Sequence, residues 1–127
     1  MLLSITHIAK GVMRVDDQIY KEILGRFVDS FLPDIAIGEG WHDLVADLHT
    51  KLSYISPEYK LYQVKEKFGG LRYYAEYCPQ EYESKPDLMR SIFNDVVTMA
   101  ESNSYYLCAT CGTPIISISQ CSSCRSH

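Results

Sequence analysis

Apolar residues recur along this chain with two periods, about 3.6 and 2, and the points where one gives way to the other divide it into elements. The first dozen residues, through Gly11, alternate weakly without a capping signal, which predicts an edge strand or an extended arm. Asp16 and Asp17 then offer N-cap chemistry to a helix whose apolar stripe is Ile19, Ile23, Phe27 and Phe31, ended by Pro33. Gly38-Glu39-Gly40 breaks the chain again. Trp41, Leu44, Val45, Leu48 and Leu52 follow as the buried stripe of a second helix from about Trp41 to Tyr54, closed by Ser56-Pro57 because a residue before proline is pushed out of the helical region.

The period then changes to 2. Tyr59 to Phe68 and Leu71 to Tyr77 are aromatic, β-favouring runs on either side of Gly69-Gly70, a pair that a two-residue hairpin turn accepts because both positions can take positive φ. With that turn, Phe68 faces Leu71, Glu66 faces Tyr73, Val64 faces Ala75 and Tyr62 faces Tyr77 on an inward side. Lys67 faces Arg72, Lys65 faces Tyr74 and Gln63 faces Glu76 on an outward, basic side. Glu66 is the exception on the inward side, and a carboxylate there requires hydrogen bonds, a wet rim or a different turn register; rim or register is favoured over a functional buried acid. A third helix opens at Ser84 to Asp87 with Pro86 in its first turn, and Leu88, Ile92, Val96 and Met99 mark its predicted buried stripe. Near Asn103 it yields to Tyr105-Tyr106-Leu107, a short strand entering a cysteine-rich tail.

That tail changes the picture most. Four of the five cysteines lie in the last 20 residues, as Cys108-Ala109-Thr110-Cys111 and Cys121-Ser122-Ser123-Cys124, with Gly112 where a knuckle permits its turn and Ile115 to Ile118 as a connecting strand. Two Cys separated by two residues reach one metal from a tight loop, and two such loops complete a tetrahedral Zn²⁺ shell in the manner of a minimal zinc ribbon. Two redox or disulfide pairs are the weaker alternative, since the cysteine count is odd and no export signal precedes them. Cys108, Cys111, Cys121 and Cys124 are the expected ligands; His127, at the end of the sequence, is an alternative ligand better read as exposed. A four-thiolate shell has no open position for substrate, so the metal would organise the fold. Cys78, alone before a proline, reads as a small, partly buried apolar residue.

Charge and composition exclude several classes. The 127 residues and 46% hydrophobic content suit one packed domain, and no apolar run reaches the roughly 20 residues of a membrane helix. A formal charge of −4, made more negative by four thiolates on one Zn²⁺, opposes non-specific binding to nucleic acid or anionic membrane. A cytoplasmic location is expected. The charge is uneven, because Lys60, Lys65, Lys67 and Arg72 stand against Glu66 alone between Lys60 and Arg72, whereas the stretch from Asp34 to Asp47 holds Asp34, Glu39, Asp43 and Asp47 and no Lys or Arg.

Candidate chemistry outside the tail is sparse. His42 and His49 lie seven apart on the second helix, about 10 Å along it, too far to share one metal ion, and read as solvated or interface residues on the helix flank. Pro33-Asp34 with Gln63-Val64-Lys65 imitates a pattern of metal-dependent nucleases, but a glutamine stands where the second acid belongs. Lys65, Lys67, Arg72 and Tyr74 on one hairpin face suit either a nucleic acid, whose bases stack on rings beside cations, or an ordinary partner-facing strand surface.

Gln63-Val64-Lys65-Glu66-Lys67-Phe68-Gly69-Gly70-Leu71-Arg72-Tyr73-Tyr74 resembles a block found in a family of small proteins scattered through bacterial, phage and prophage genomes. The resemblance extends to Gly40-Trp41 and its following leucines, to Ala100-Glu101 and to Cys108 through Gly112, about two-thirds of the chain. It implies a common design, with no activity attached to the family, and an accessory protein that modulates a host factor. Taken together, the expectation is an α+β fold, with residues 1–104 packing helices on a β-hairpin or small antiparallel sheet and residues 105–127 forming a zinc-ribbon-like tail docked on it. The expected function is a zinc-binding interaction module for a protein partner. Lys65, Glu66, Lys67, Gly69, Gly70, Arg72 and Tyr74 are its candidate binding residues; a nucleic-acid binder is the alternative and a nuclease a remote one.

Overall fold

The computed structural model describes residues 15–29, 33–115 and 121. Among them the order is α1 (Val15–Leu24), β1 (Ile35–Ala36), a 3-10 turn (Glu39–Trp41), α2 (His42–Ile55), β2 (Lys60–Lys67), β3 (Gly70–Glu76) and α3 (Pro86–Ser104). The fold is α+β. The sheet has the order β1-β2-β3 and is mixed rather than antiparallel, since β1 joins β2 in parallel with Ile35 opposite Val64 and Ala36 opposite Lys65. The helices cover one of its faces. Ile23 of α1, Val45, Leu48 and Leu52 of α2, and Phe93 and Ala100 of α3 share one core with Leu61, Val64, Leu71 and Tyr73 of the sheet and with Trp41, Tyr59 and Tyr77.

α1 is shorter than its apolar spacing predicts. It ends at Leu24, before Gly25, a poor helix former, and the backbone of the next turn is taken by the sheet: Leu61 donates to Arg26 O at 3.0 Å and Val28 donates to Leu61 O at 3.1 Å. Phe27 is therefore buried as an extended residue bridged to Leu61 rather than as a rung of a helical stripe. Phe31 and the predicted N-terminal strand or arm lie outside the described residues. α2 keeps its predicted stripe, and its C-terminus closes on Ser56, whose buried hydroxyl donates to Cys78 O and accepts from Cys78 N, both at 3.0 Å.

The hairpin turns one residue earlier than expected. Its two turn residues are Phe68 (φ 55°) and Gly69 (φ 81°), which leaves Lys67 opposite Gly70, Glu66 opposite Leu71, Lys65 opposite Arg72, Val64 opposite Tyr73 and Gln63 opposite Tyr74. Gly70 has a different task. A Cβ on it would come within 2.2 Å of the Tyr105 ring, so this glycine is spent on close packing and the turn falls on its predecessor. Phe68 accordingly projects into solvent, 80% exposed. Glu66 is exposed at the rim, with no buried carboxylate to explain. A register irregularity between Leu61 and Gln63 then buries Leu61 where simple alternation would have buried Tyr62.

α3 presents a different stripe from the predicted one. Phe93, Ala100 and Ser104 are buried and Met89 and Val97 pack beside them; of the predicted stripe only Val96 packs against the core, while Leu88, Ile92 and Met99 are 53%, 40% and 64% exposed. Phe93 decides the rotation, because its ring is fully buried and meets Tyr59 and Tyr77 edge-on, with centroids 5.7 and 5.9 Å away. That rotation also lets α3 close the outer edge of β3: Leu71 N donates to Ser104 Oγ at 2.8 Å and Tyr73 N to Glu101 Oε2 at 2.9 Å.

Candidate metal centre and binding face

The segment after α3 is built on backbone fits rather than on buried bulk. Tyr105 to Leu107 form no regular strand among the described residues; Leu107 makes a single bridge with Pro114, and Ile115 N donates to Tyr106 O at 2.8 Å. Inside this loop Cys108 N donates to Thr113 O and Gly112 N to Cys108 O, both at 2.8 Å, and Gly112 takes φ 82°. The loop seats on the entrance to α2. Gly40 N donates to Ala109 O at 2.8 Å, and the Trp41 indole, 1% exposed, donates to Leu107 O at 3.0 Å. A Cβ on Gly40 would lie 2.0 Å from Cys108 O, and one on Gly38 would lie 2.3 Å from Ala109 O, so both glycines are required by this approach.

The seating brings sulfur together. The Sγ atoms of Cys108, Cys111 and Cys121 lie within 4.8 Å of one another, a set that can hold a metal ion. Cys108 is buried, Cys121 half-buried and Cys111 exposed, with Cys111 Sγ 3.6 Å from Cys121 Sγ and 3.1 Å from Thr113 Oγ1. The sulfur separation is far beyond the roughly 2.05 Å of a disulfide. Cys124, His127 and all but Ile115 of the predicted connecting strand, Ile115 to Ile118, lie outside the described residues. Cys78 is half-buried, with its thiol 3.9 Å from Glu76 O.

On the sheet's uncovered face, Lys65 stands directly opposite Arg72, and Gln63 opposite Tyr74. Lys65 and Arg72 are half-buried, Lys67 and Glu66 exposed, and Tyr74 46% exposed. Arg72 donates to Leu71 O at 3.3 Å, and interaction with the Tyr105 hydroxyl raises its pKa further. Lys67 lies over the Phe68 ring, 5.7 Å from its centroid. Gly69 and Gly70 shape the turn and its packing. The two halves of the nuclease-like pattern do reach neighbouring strands, since Asp34 precedes β1 and Val64 faces Ile35, but Gln63 still supplies no second carboxylate there.

Sequence reasoning missed the polar centre of the core. His49 is 2% exposed rather than solvated: its Nδ1 lies 2.7 Å from the Tyr59 hydroxyl, which lies 2.7 Å from the Tyr73 hydroxyl, and its Nε2 lies 3.1 Å from Glu22 Oε1. One proton arrangement satisfies all four groups. Tyr73 donates to Tyr59, Tyr59 donates to Nδ1, and Nε2–H donates to the carboxylate, with the imidazole neutral. Burial lowers the His49 pKa against the opposing pull of Glu22, and Arg26 adds to the lowering. Burial likewise pushes Tyr59 up to about 12 and Tyr73 well above the usual phenol value. Arg26 locks the group from outside, with its guanidinium on the Ser53 hydroxyl and 4.4 Å over the Tyr59 ring. The only sequence signal was that His49 sits one residue from Leu48 on the apolar stripe of α2.

No helix among the described residues is long and apolar enough to cross a membrane. No family model matches this chain, and comparison with curated proteins and with solved structures likewise gives no match.

Proposed function

We propose that the chain is a small zinc-ordered interaction module that binds a protein partner in the cytoplasm, of the phage or prophage accessory kind that the sequence resemblance implies. The observation that carries this reading is the convergence of three cysteine sulfurs on a loop seated against α2. Zinc–sulfur bonds of about 2.3 Å at tetrahedral angles put sulfurs about 3.8 Å apart, and the 3.6 Å between Cys111 and Cys121 supports that ion. Cys124, at the knuckle spacing from Cys121, supplies the fourth thiolate. In this reading residues 105–127 are a zinc-ribbon-like tail docked on residues 1–104, and the metal's role is to hold it there. Four thiolates suit structure rather than hydrolysis, because they occupy every coordination position.

Partner binding follows from what the surface offers. Large rings stand in solvent at Tyr54, Phe68, Tyr82 and Tyr106, and Tyr and Phe are the residues that interfaces enrich. The test has two arms. Elemental analysis of the purified chain finds one zinc per molecule, and affinity capture from nuclease-treated lysate retains a defined protein that chelation releases. Metal-free, folded material, or a capture that stays empty, overturns the proposal.

A further inference from the structure

Two cations directly opposite each other on neighbouring strands repel, and an anion bound between them would relieve that repulsion. Lys65 and Arg72 form such a pair on the uncovered face of the sheet, with Lys67 next along β2, and among the described residues neither Lys65 nor Lys67 joins an ion pair. The Tyr105 phenol packs on Gly70, two residues before Arg72 along β3. The next cross-strand pair on the same side is Gln63 with Tyr74. There the surface dips into a groove of about 590 Å³, lined by Tyr62, Gln63 and Tyr74 from the sheet and by Asn94, Val97 and Thr98 from α3. Cation pair and groove are thus two residues apart along each strand, about 7 Å.

An extended peptide has the same repeat: its side chains at i and i+2 lie on one side, about 7 Å apart. We infer that this face receives an extended segment of a partner protein carrying an acidic side chain and an apolar one two residues away, with the acid between Lys65 and Arg72 and the apolar group in the groove beside Tyr74. The inference rests on the proposed protein-binding function and names its surface and ligand chemistry. Nucleic acid fits less well, because it carries a charge at every nucleotide while the groove is bordered by carboxylates. Glu101 lines it, and Glu76 accepts the Tyr62 hydroxyl proton at its margin. Strand addition at the outer edge of β3 is also blocked, since Leu71 N and Tyr73 N already bond to α3.

The test uses the zinc-loaded full chain and a fluorescent peptide, Glu-Ser-Leu-Ser-Glu-Ser-Leu, with a Gln-for-Glu copy and oligouridylate as comparators. The Glu peptide is expected to bind at least about tenfold more tightly than the Gln copy, the change given by one charge-assisted hydrogen bond. Lys65→Glu and the milder Lys65→Gln each remove that preference, and Tyr74→Ala weakens both peptides, while circular dichroism shows all three variants folded. Equal binding of the two peptides, no binding of either, indifference to Lys65→Glu, or tighter Lys65-dependent binding of oligouridylate overturns the assignment. A captured partner protein that Lys65→Glu still binds would overturn this surface alone and leave the protein-binding reading in place.

Discussion

The core around Phe93 and the loop around Cys108 are held by different physics. Phe93 is fully buried in the common core and meets the rings of Tyr59 and Tyr77, so apolar burial accounts for its place. The Cys108 loop buries that cysteine and only in part Leu107 and Ala109; its position depends on the absence of side chains at Gly38 and Gly40, on two hydrogen bonds from Gly40 N and the Trp41 indole, and on the meeting of sulfurs. A region of the first kind is expected to be indifferent to chelator, and one of the second kind, on the proposed reading, to depend on its ion.

The largest effect is expected from Phe93→Ala, which should cost about 3–5 kcal/mol in urea unfolding, whether or not chelator is present. Gly40→Ala comes next. Forcing a methyl onto Cys108 O should cost about 1–3 kcal/mol with metal bound and much less in chelator, where the loop is already free to move; an equal cost in both would mean that metal does not fix the loop.

Tyr59→Phe leaves the Tyr73 hydroxyl and His49 Nδ1 without their shared partner and should cost about 1–3 kcal/mol. The same network makes the core sensitive to acid. His49 is lowered from its ordinary 6.5, so the unfolded chain binds a proton there more readily than the folded one. Its contribution is fully present above about pH 6.5 and is lost as the pH falls below that, and denaturation midpoints for the wild type and for His49→Gln should converge at the acid end of that range. The smallest effect is expected from Ser104→Ala, about 1 kcal/mol, the low end for the single Leu71 amide it leaves unpaired, seen as faster hydrogen exchange at Leu71.

What the sequence disclosed divides along the same line. Local signals were legible: the start of α2 after Gly40, the end at Ser56-Pro57, Pro86 opening α3, and the spacing of the cysteines all reflect chemistry within a few residues. Choices made between distant segments were not. Gly69-Gly70 looks like a turn from either register, and only Tyr105, thirty-five residues from Gly70, decides that Gly70 belongs in the strand. Leu88, Ile92 and Met99 form as regular a stripe as Met89, Phe93 and Ala100, and the rings of Tyr59 and Tyr77 choose between them. His49 among leucines could not announce that Tyr59, Tyr73 and Glu22 would satisfy it. The cysteine pairs gave the candidate ligands, but not that Gly38 and Gly40 form their seat.

The most direct test of the account is X-ray absorption at the zinc edge on the purified chain, because it reads the ion and its neighbours together. A shell of four sulfurs at about 2.3 Å is expected, falling to a lower sulfur count in Cys108→Ser. A shell of nitrogen or oxygen, or no zinc signal in folded protein, would contradict it.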